Sequence, residues 1–334
     1  MSITIKKIAE LANVSRGTVD RVIHGREGVN NETRERVEYI LEKYNYKSNR
    51  HARALVTTGK KFSVGVIINS IGNEFFDSVL EGLIYENQKY DNINLIIKEI
   101  KGYEESDQLK AIKELTDEDV HALIITPINT KDIINALNDL RIPVVTLNND
   151  IEIKKLGFVG CDYVNNGKIS GDIANLILPN GGHVAIIVGS FKLRGHNERV
   201  EGFEKAFTNQ NKKISYYENQ DDDNLSYEIT KNIIENNNVD LIYYAAAGIS
   251  GGLKAITDAN VKVPVITVDE TRAVREGLKD GRVYATVTQQ PYKQGSRAIQ
   301  MVYDYLVYNS EPKEKQNLTG NRIQLKHSIF VTEK

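Results

Sequence analysis

A chain of 334 residues is too long for one small domain and suits two or three folding units. Forty per cent hydrophobic residues with only six prolines exclude a disordered or fibrous protein, and the net charge of −2 alone points to no class of partner. That charge is unevenly spread: Met1 to Lys61 hold 13 Lys+Arg against 7 Asp+Glu, or +6, and the remaining 273 residues hold 30 against 38, or −8. A basic head on an acidic body is an electrostatic footprint for a polyanion, because Lys and Arg that neutralise phosphates release counterions. A solvated basic helix is the plainer alternative.

Cys161 is the only cysteine, which excludes an intramolecular disulfide and a cysteine-cluster metal site and suggests a buried core thiol. The opening MSITIKKIAELANVS lacks the apolar core of a secretory signal. No stretch approaches the roughly 20 apolar residues needed to span a bilayer. A cytoplasmic protein without membrane contact is expected.

From Thr4, apolar residues at Ile5, Ile8, Ala9, Leu11 and Ala12 have the spacing of one buried helical face. Asn13 and Val14 then suit a tight turn, and Ser15 is a good N-cap for a second helix that buries Val19, Val22 and Ile23. Its solvent side carries Arg16, Gly17, Asp20, Arg21 and His24 near an N-terminus that favours phosphate, as in a helix entering the DNA major groove. A third helix is predicted from about Asn31 to Tyr44, with Val37, Ile40, Leu41 and Tyr44 closing a three-helix core.

TIKKIAELANVSRGTVDRVIH from Thr4 and TRERVEYILEKYNYKSNRHARAL from Thr33 together closely resemble the head and hinge of the lactose-repressor (LacI/GalR) family. The resemblance implies a DNA-facing set of Thr4, Ser15, Arg16, Gly17, Thr18, Arg21 and His24. It also implies a hinge helix over Asn49 to Val56, in which Asn49, Ala52 and Leu55 meet DNA and Leu55 wedges into the minor groove of a palindromic operator. Three departures stand out. Gly17 removes a usual base contact and leaves Arg16 more of the reading, Asp20 needs a cationic partner such as Arg16 beside phosphates, and Ser48 replaces the customary proline.

Beyond Phe62, short apolar runs (FSVGVII, NLIIKEI, ALIIT, PVVTL, GHVAIIV, DLIYY, PVITV and YATVT) alternate with helical stretches, which indicates two parallel sheets covered on both faces. Ligands of such sheets bind beyond the carboxyl ends of the strands. The residues there are Asn73, Glu74, Phe75 and Phe76, then Asn148 and Asn149, then Asp269 and Glu270, then Gln289. Aromatic rings with amides and carboxylates suit a carbohydrate-type ligand.

The same segments resemble periplasmic sugar-binding proteins, whose fold the lactose-repressor body shares. The expected fold is thus an all-α helix-turn-helix head with an α/β body of two Rossmann-like lobes in the periplasmic-binding-protein arrangement. The resemblance implies that Phe75 and Phe76 stack on the ligand and that Asn148, Asp269 and Gln289 hold hydroxyls. Asn197 falls where a sugar-clamping arginine is usual, and Ala245 and Ala246 replace an Asn-Asp pair, with Arg194, His196 and Tyr244 as compensating contacts. The expected units are 1–47 (DNA-binding), 48–61 (hinge) and 62–334, with lobe one taking 62–162 and 292–320 and lobe two 163–291 and 321–334. A homodimeric repressor controlled by a sugar or sugar derivative follows as an expectation. An enzyme is disfavoured, since no dinucleotide fingerprint, P-loop, metal motif or nucleophile elbow occurs, and neither cofactor nor metal is expected. A transport-type binding protein is the other alternative, and it leaves Thr4 to Val56 unexplained.

Overall fold

The computed structural model describes residues 4–23, 27–44, 59–69, 71–236 and 239–328. The chain divides into two compact units, 1–58 and 59–334.

The first unit holds three helices: α1 (Ile5–Ala12), α2 (Arg16–Ile23) and α3 (Asn31–Lys43). Each begins on a side chain that accepts an otherwise orphaned backbone N–H. Thr4 accepts from Lys7 at 3.3 Å, Ser15 from Thr18 at 3.0 Å and Asn30 from Thr33 at 2.8 Å. Helix α1 stops at Asn13, whose φ of 51° is the left-handed conformation that asparagine tolerates. Ile8, Ala9, Ala12, Val19, Val22, Val37 and Ile40 form the core. Two expected core members lie outside it: Leu11 is 43% exposed and Tyr44, the C-cap of α3, is 46% exposed. Three short helices enclose only a narrow stripe each, and both residues sit at its margin.

The second unit alternates strands and helices. In the first half β1 (Phe62–Ile68), β2 (Ile93–Glu99), β3 (Ala122–Ile125), β4 (Val144–Leu147) and β5 (Gly157–Cys161) are interleaved with α4 (Phe75–Asn87), α5 (Glu105–Asp117) and α6 (Lys131–Asn138). The second half contains α7 (Tyr163–Ile177), β6 (His183–Val188), α8 (Arg194–Ala206), β7 (Lys213–Glu218) and α9 (Asp223–Asn236). After these come β8 (Leu241–Tyr244), α10 (Ile249–Asp258), β9 (Val265–Val268), α11 (Arg272–Asp280) and β10 (Ala285–Thr288). Helix α12 (Pro291–Tyr308) and strands β11 (Gln316–Thr319) and β12 (Arg322–Gln324) complete it. One sheet runs β11-β5-β4-β3-β1-β2 and is parallel throughout. The other runs β12-β10-β9-β8-β6-β7, with only β12 antiparallel.

Each sheet is buried on both faces, which is why its inner strands read as unbroken apolar runs. The first packs against α4 and α12 on one side and α5 and α6 on the other, and the second against α7 and α8 and against α9 to α11. The chain passes between sheets at three places, after β5, after β10 and between β11 and β12. Hydrogen bonds tie these crossings together: Thr319 Oγ1 donates to Gln289 O at 2.7 Å, and Asn321 Nδ2 to Asp162 O at 3.0 Å. No described helix is long and apolar enough to cross a membrane.

Helices α4 and α12 approach so closely that a Cβ on Gly295 would lie 1.9 Å from Val79 O, and one on Gly82 would lie 2.0 Å from Tyr292 O. A backbone carbonyl cannot rotate away as a side chain can, so the helices must part to admit a methyl group. Gly295→Ala is expected to destabilise the body by about 1–3 kcal/mol in urea unfolding. An unchanged midpoint would contradict this packing.

Candidate functional site

In the head, α2 presents Arg21 to solvent from its last turn and Arg16 and Gly17 from its first turn, where Thr18 is half-buried. Ser15 and Thr18 are joined through their hydroxyls at 2.9 Å, so this turn is fixed before any ligand arrives. Thr4 and Ser15 cap helices as described above, and these contacts leave their hydroxyls near exposed helix N-termini. His24, Asn49, Ala52 and Leu55 lie outside the described residues.

In the body, the carboxyl ends of both sheets face one cavity, with about 460 Å³ of empty space including its mouth. Eight of the ten expected cleft residues line it together: Asn73, Phe75, Phe76, Asn148, Asn149, His196, Asp269 and Gln289. Phe75 and Phe76 meet edge to face at 5.2 Å and also belong to the core of the first sheet, which fixes their edges at the cavity wall. Asn148 follows β4 with φ 62°, and Asp269 follows β9 with φ 65°. These left-handed turns place one polar side chain from each sheet at matching strand ends, and Asn and Asp are the non-glycine residues that accept them most readily.

Asp269 Oδ1 accepts from Gln289 Nε2 at 2.9 Å, and Gln289 Oε1 in turn accepts from the Cys161 thiol at 3.2 Å. Asn149 is fully engaged in joining the two sheets' loops, accepting from Gly195 N at 2.9 Å and donating to Pro127 O at 2.5 Å.

Residues 4–49 match the family model for bacterial regulatory proteins of the lacI family, and residues 64–310 match that for the periplasmic binding protein domain. The chain is a lacI-family regulator with a periplasmic-binding-protein body. It is a DNA-binding transcriptional regulator. This regulator is 26% identical over 345 residues to the HTH-type transcriptional regulator RegA of Clostridium saccharobutylicum, covering 100% of this chain and 99% of the relative. It is also 26% identical over 285 residues to a D-ribose/D-allose-binding protein of Pseudomonas aeruginosa, across 80% of this chain and 89% of that one. Among solved structures, a transporter solute-binding protein from Agrobacterium vitis with bound D-fucose superposes with a TM-score of 0.76 at 20% identity, covering 81% of the regulator and 98% of that chain.

Two expected cleft residues are placed elsewhere. Asn197 is exposed and donates to Phe191 O at 2.8 Å and Leu193 O at 3.0 Å, closing the loop before α8. Tyr244 is buried under α9, its hydroxyl 2.6 Å from Thr230 Oγ1. Arg194, weighed as a compensating contact, pairs instead with Glu198 at 2.7 Å and Glu152 at 2.9 Å.

The cation in the cleft is Arg199, which sequence reading passed over. It is 3% exposed, donates through Nη1 to Ala245 O at 2.8 Å and lies 4.8 Å from the Tyr163 ring centroid. Its Nε and Nη2 are buried without a hydrogen-bond partner, as is Thr126 Oγ1 on the opposite wall. Burial is the strongest single influence on Arg199 and opposes its charge, but Asp269, with smaller contributions from Cys161, Tyr163 and Tyr243, together outweighs it and holds the pKa up. Burial likewise raises the Asp269 carboxyl, against the pull of Arg199. Tyr103, Tyr163 and Asp221 also line the cavity. The spacing of His196 and Arg199, three apart on one helix, is the signal that could have found the arginine. The cleft therefore offers unpartnered donors, fixed acceptors and aromatic edges, an arrangement for holding a polar, hydroxyl-bearing molecule.

His196 Nδ1 lies 3.1 Å from both the backbone N–H and the carbonyl oxygen of Ser190, so the ring is held there in either tautomer. Burial depresses its pKa from 6.5 to about 4, with Asp221 pulling it up and Arg199 down. A depressed histidine binds its proton more readily in the unfolded chain, so its contribution is complete above pH 6.5 and is lost as pH falls toward 4. His196→Gln is expected to flatten the decline in urea midpoint across that interval. Parallel curves for variant and wild type would show that another group carries the loss.

Proposed function

We propose that this regulator is a cytoplasmic homodimeric repressor that releases a palindromic operator when a sugar or sugar derivative binds between the lobes of its body. The observation that carries the ligand reading is Arg199, buried at the cavity wall with two guanidinium nitrogens, Nε and Nη2, unpartnered. A buried donor without an acceptor costs about 1–3 kcal/mol, which a ligand hydroxyl or ring oxygen would offset. Phe75 and Phe76 supply apolar edges for a sugar face, and Asn148, Asp269 and Gln289 supply hydroxyl partners. The likeness to a D-ribose/D-allose-binding protein supports the ligand class. Catalysis is no part of this reading, because regulators and binding proteins are the relatives and the cavity groups are arranged to hold rather than to transform. A transport-type binding protein accounts for the body alone, whereas RegA matches the chain from end to end.

The proposed units are 1–47 for DNA binding, 48–61 as the connecting hinge and 62–334 for the effector, with lobe one taking 62–162 and 292–320 and lobe two the rest. Contacts from both lobes to one ligand favour their closed arrangement, and a coupling of roughly 1–3 kcal/mol between ligand and operator would change DNA affinity about 5- to 150-fold.

Two measurements test the two ends of this reading. On an operator obtained by in vitro selection, sedimentation should count two chains per palindrome. Arg16→Ala should cost about 1–3 kcal/mol and relax specificity at one base position, while Arg21→Ala should weaken all sequences alike. Sequence-blind losses from both changes would reject the base-reading role of Arg16. At the other end, Asp269→Ala should reduce affinity for D-ribose or D-allose about 10- to 100-fold in calorimetry, the scale of one hydrogen bond to a charged group, and abolish the sugar's effect on operator binding. A variant that still responds with wild-type affinity would move the site elsewhere.

A further inference from the structure

The cavity has a neighbour. An outer groove, about 1060 Å³ of empty space open to solvent, runs past Ile71, Lys101, Glu104, Gln220, Asp222 and Asn224. It shares four residues with the inner cavity: Asn69, Asn73, Tyr103 and Asp221. These four form the wall between the two spaces, and the wall is made by both lobes. The Tyr103 hydroxyl of lobe one donates to Asp221 Oδ2 of lobe two, and Asn73 Nδ2 donates to the same oxygen at 3.3 Å.

Both halves of the wall are held from behind. On lobe one, Asn69 Nδ2 donates to Gly102 O at 2.7 Å, fixing the turn that carries Tyr103, whose ring packs with Ile128 of the same lobe and Leu193 of lobe two. On lobe two, Gln220 and Asp221 are consecutive non-glycine residues in the left-handed region, with φ of 53° and 55°. That conformation persists only where its surroundings enforce it. Asn219 enforces it, accepting from Asp221 N at 3.0 Å and donating to Ala247 O at 2.7 Å, while Ala247 N donates to Asp221 Oδ1 at 3.0 Å. Opposite stands Gly189, where a Cβ would lie 2.3 Å from Asp221 Oδ1, so a side chain there would displace the carboxylate.

We propose that the Tyr103–Asp221 contact, backed by Asn73, is a cross-lobe latch that partitions the cleft and restricts the effector to a single sugar ring. The latch closes only if nothing projects from the inner cavity through the wall. A one-ring ligand lets Tyr103 reach Asp221 and shares the work of closure with it. A second ring would occupy the place of the Tyr103 hydroxyl and hold the lobes apart. This restriction rests on the reading of the cleft as a sugar site, whereas the latch itself does not.

The test has a ligand-free arm and a ligand arm, both on the full-length chain. Nitroxide labels on Asp132→Cys and Glu235→Cys, one on each lobe and both at exposed positions, report lobe separation by pulsed electron resonance after dilution with unlabelled chain; Cys161 is buried. Tyr103→Phe, which keeps the ring and removes only the hydroxyl, should lengthen and broaden the distance distribution without any sugar present. A distribution identical to wild type overturns the latch, including the case in which Tyr103→Phe merely weakens sugar binding. In the second arm, melting temperature is measured with D-ribose, D-allose, D-glucose and D-galactose and with the two-ring sugars maltose, cellobiose and lactose. Wild type should respond to a one-ring sugar and to no two-ring sugar, and Tyr103→Ala should gain a two-ring response. A wild type that is stabilised as much by a two-ring sugar overturns the partition. A wild type that ignores every sugar while Tyr103→Phe still spreads the lobes refutes the sugar reading and upholds the latch.

Discussion

Arg199 carries a full charge into a place only 3% exposed to solvent, where an uncompensated guanidinium would cost several kcal/mol, and the groups around it are arranged to meet that cost. Ala245 contributes a carbonyl, Tyr163 the face of its ring, and Asp269 the opposing charge. Asp269 can serve only because a left-handed turn brings it back toward the cavity and Gln289 fixes its carboxylate. Gln289 is in turn the residue whose backbone carbonyl receives Thr319 and Gln294, at 2.7 and 3.0 Å, where the chain crosses between sheets. Compensation of one buried cation thus runs without a break from the cleft to the segments about which the lobes must turn.

The lobes themselves are poor candidates for internal movement. Each has a pair of helices in backbone contact, α4 with α12 in one and α7 with α8 in the other, where Gly167 and Gly202 would each place a Cβ 2.0 Å from a carbonyl oxygen of the facing helix. Packing of that closeness resists gradual deformation, so displacement is concentrated in the three crossings. Two rigid bodies joined by a hydrogen-bonded hinge can convert the filling of a small cavity into a larger rearrangement of surfaces.

The legibility of the structure from sequence followed burial. Central strands such as Ala122–Ile125 and Val265–Val268, covered on both faces, could hardly read as anything else. Strand β7, KISYYE, was missed because an edge strand alternates exposed and half-buried positions, and β5 because its two glycines dilute the apolar run. The short polar strands β11 and β12 left no local signal at all. In the site, Asn148, Asp269 and Gln289 were legible because strand ends have a fixed relation to the cleft. Residues from helices and turns lack that relation. Asn197 and Arg199 are two positions apart, roughly 200° around an α-helix, so an error of two residues exchanges the solvent face for the cavity. Tyr103 and Asp221 come from turns whose direction depends on backbone angles that sequence does not display, and Leu11 and Tyr44 were misplaced because periodicity does not mark the edge of a small core.

The crossings also shape how the body is made. Strand β11 pairs with β5 through Gln316 and Phe158, and β12 pairs with β10 only after β11 has been laid down. After β10 the chain returns to the first lobe as α12, which fills one face of a sheet whose first five strands were complete at Cys161. Neither lobe is therefore a contiguous stretch of polypeptide. During synthesis the first sheet must wait, with Val66, Ile124 and Val145 uncovered on the α12 side, until almost the entire chain has left the ribosome. Contacts of such long sequence separation form slowly and leave apolar surface open to wrong partners. The connectivity that gives the regulator its hinge makes its birth a late and collective event.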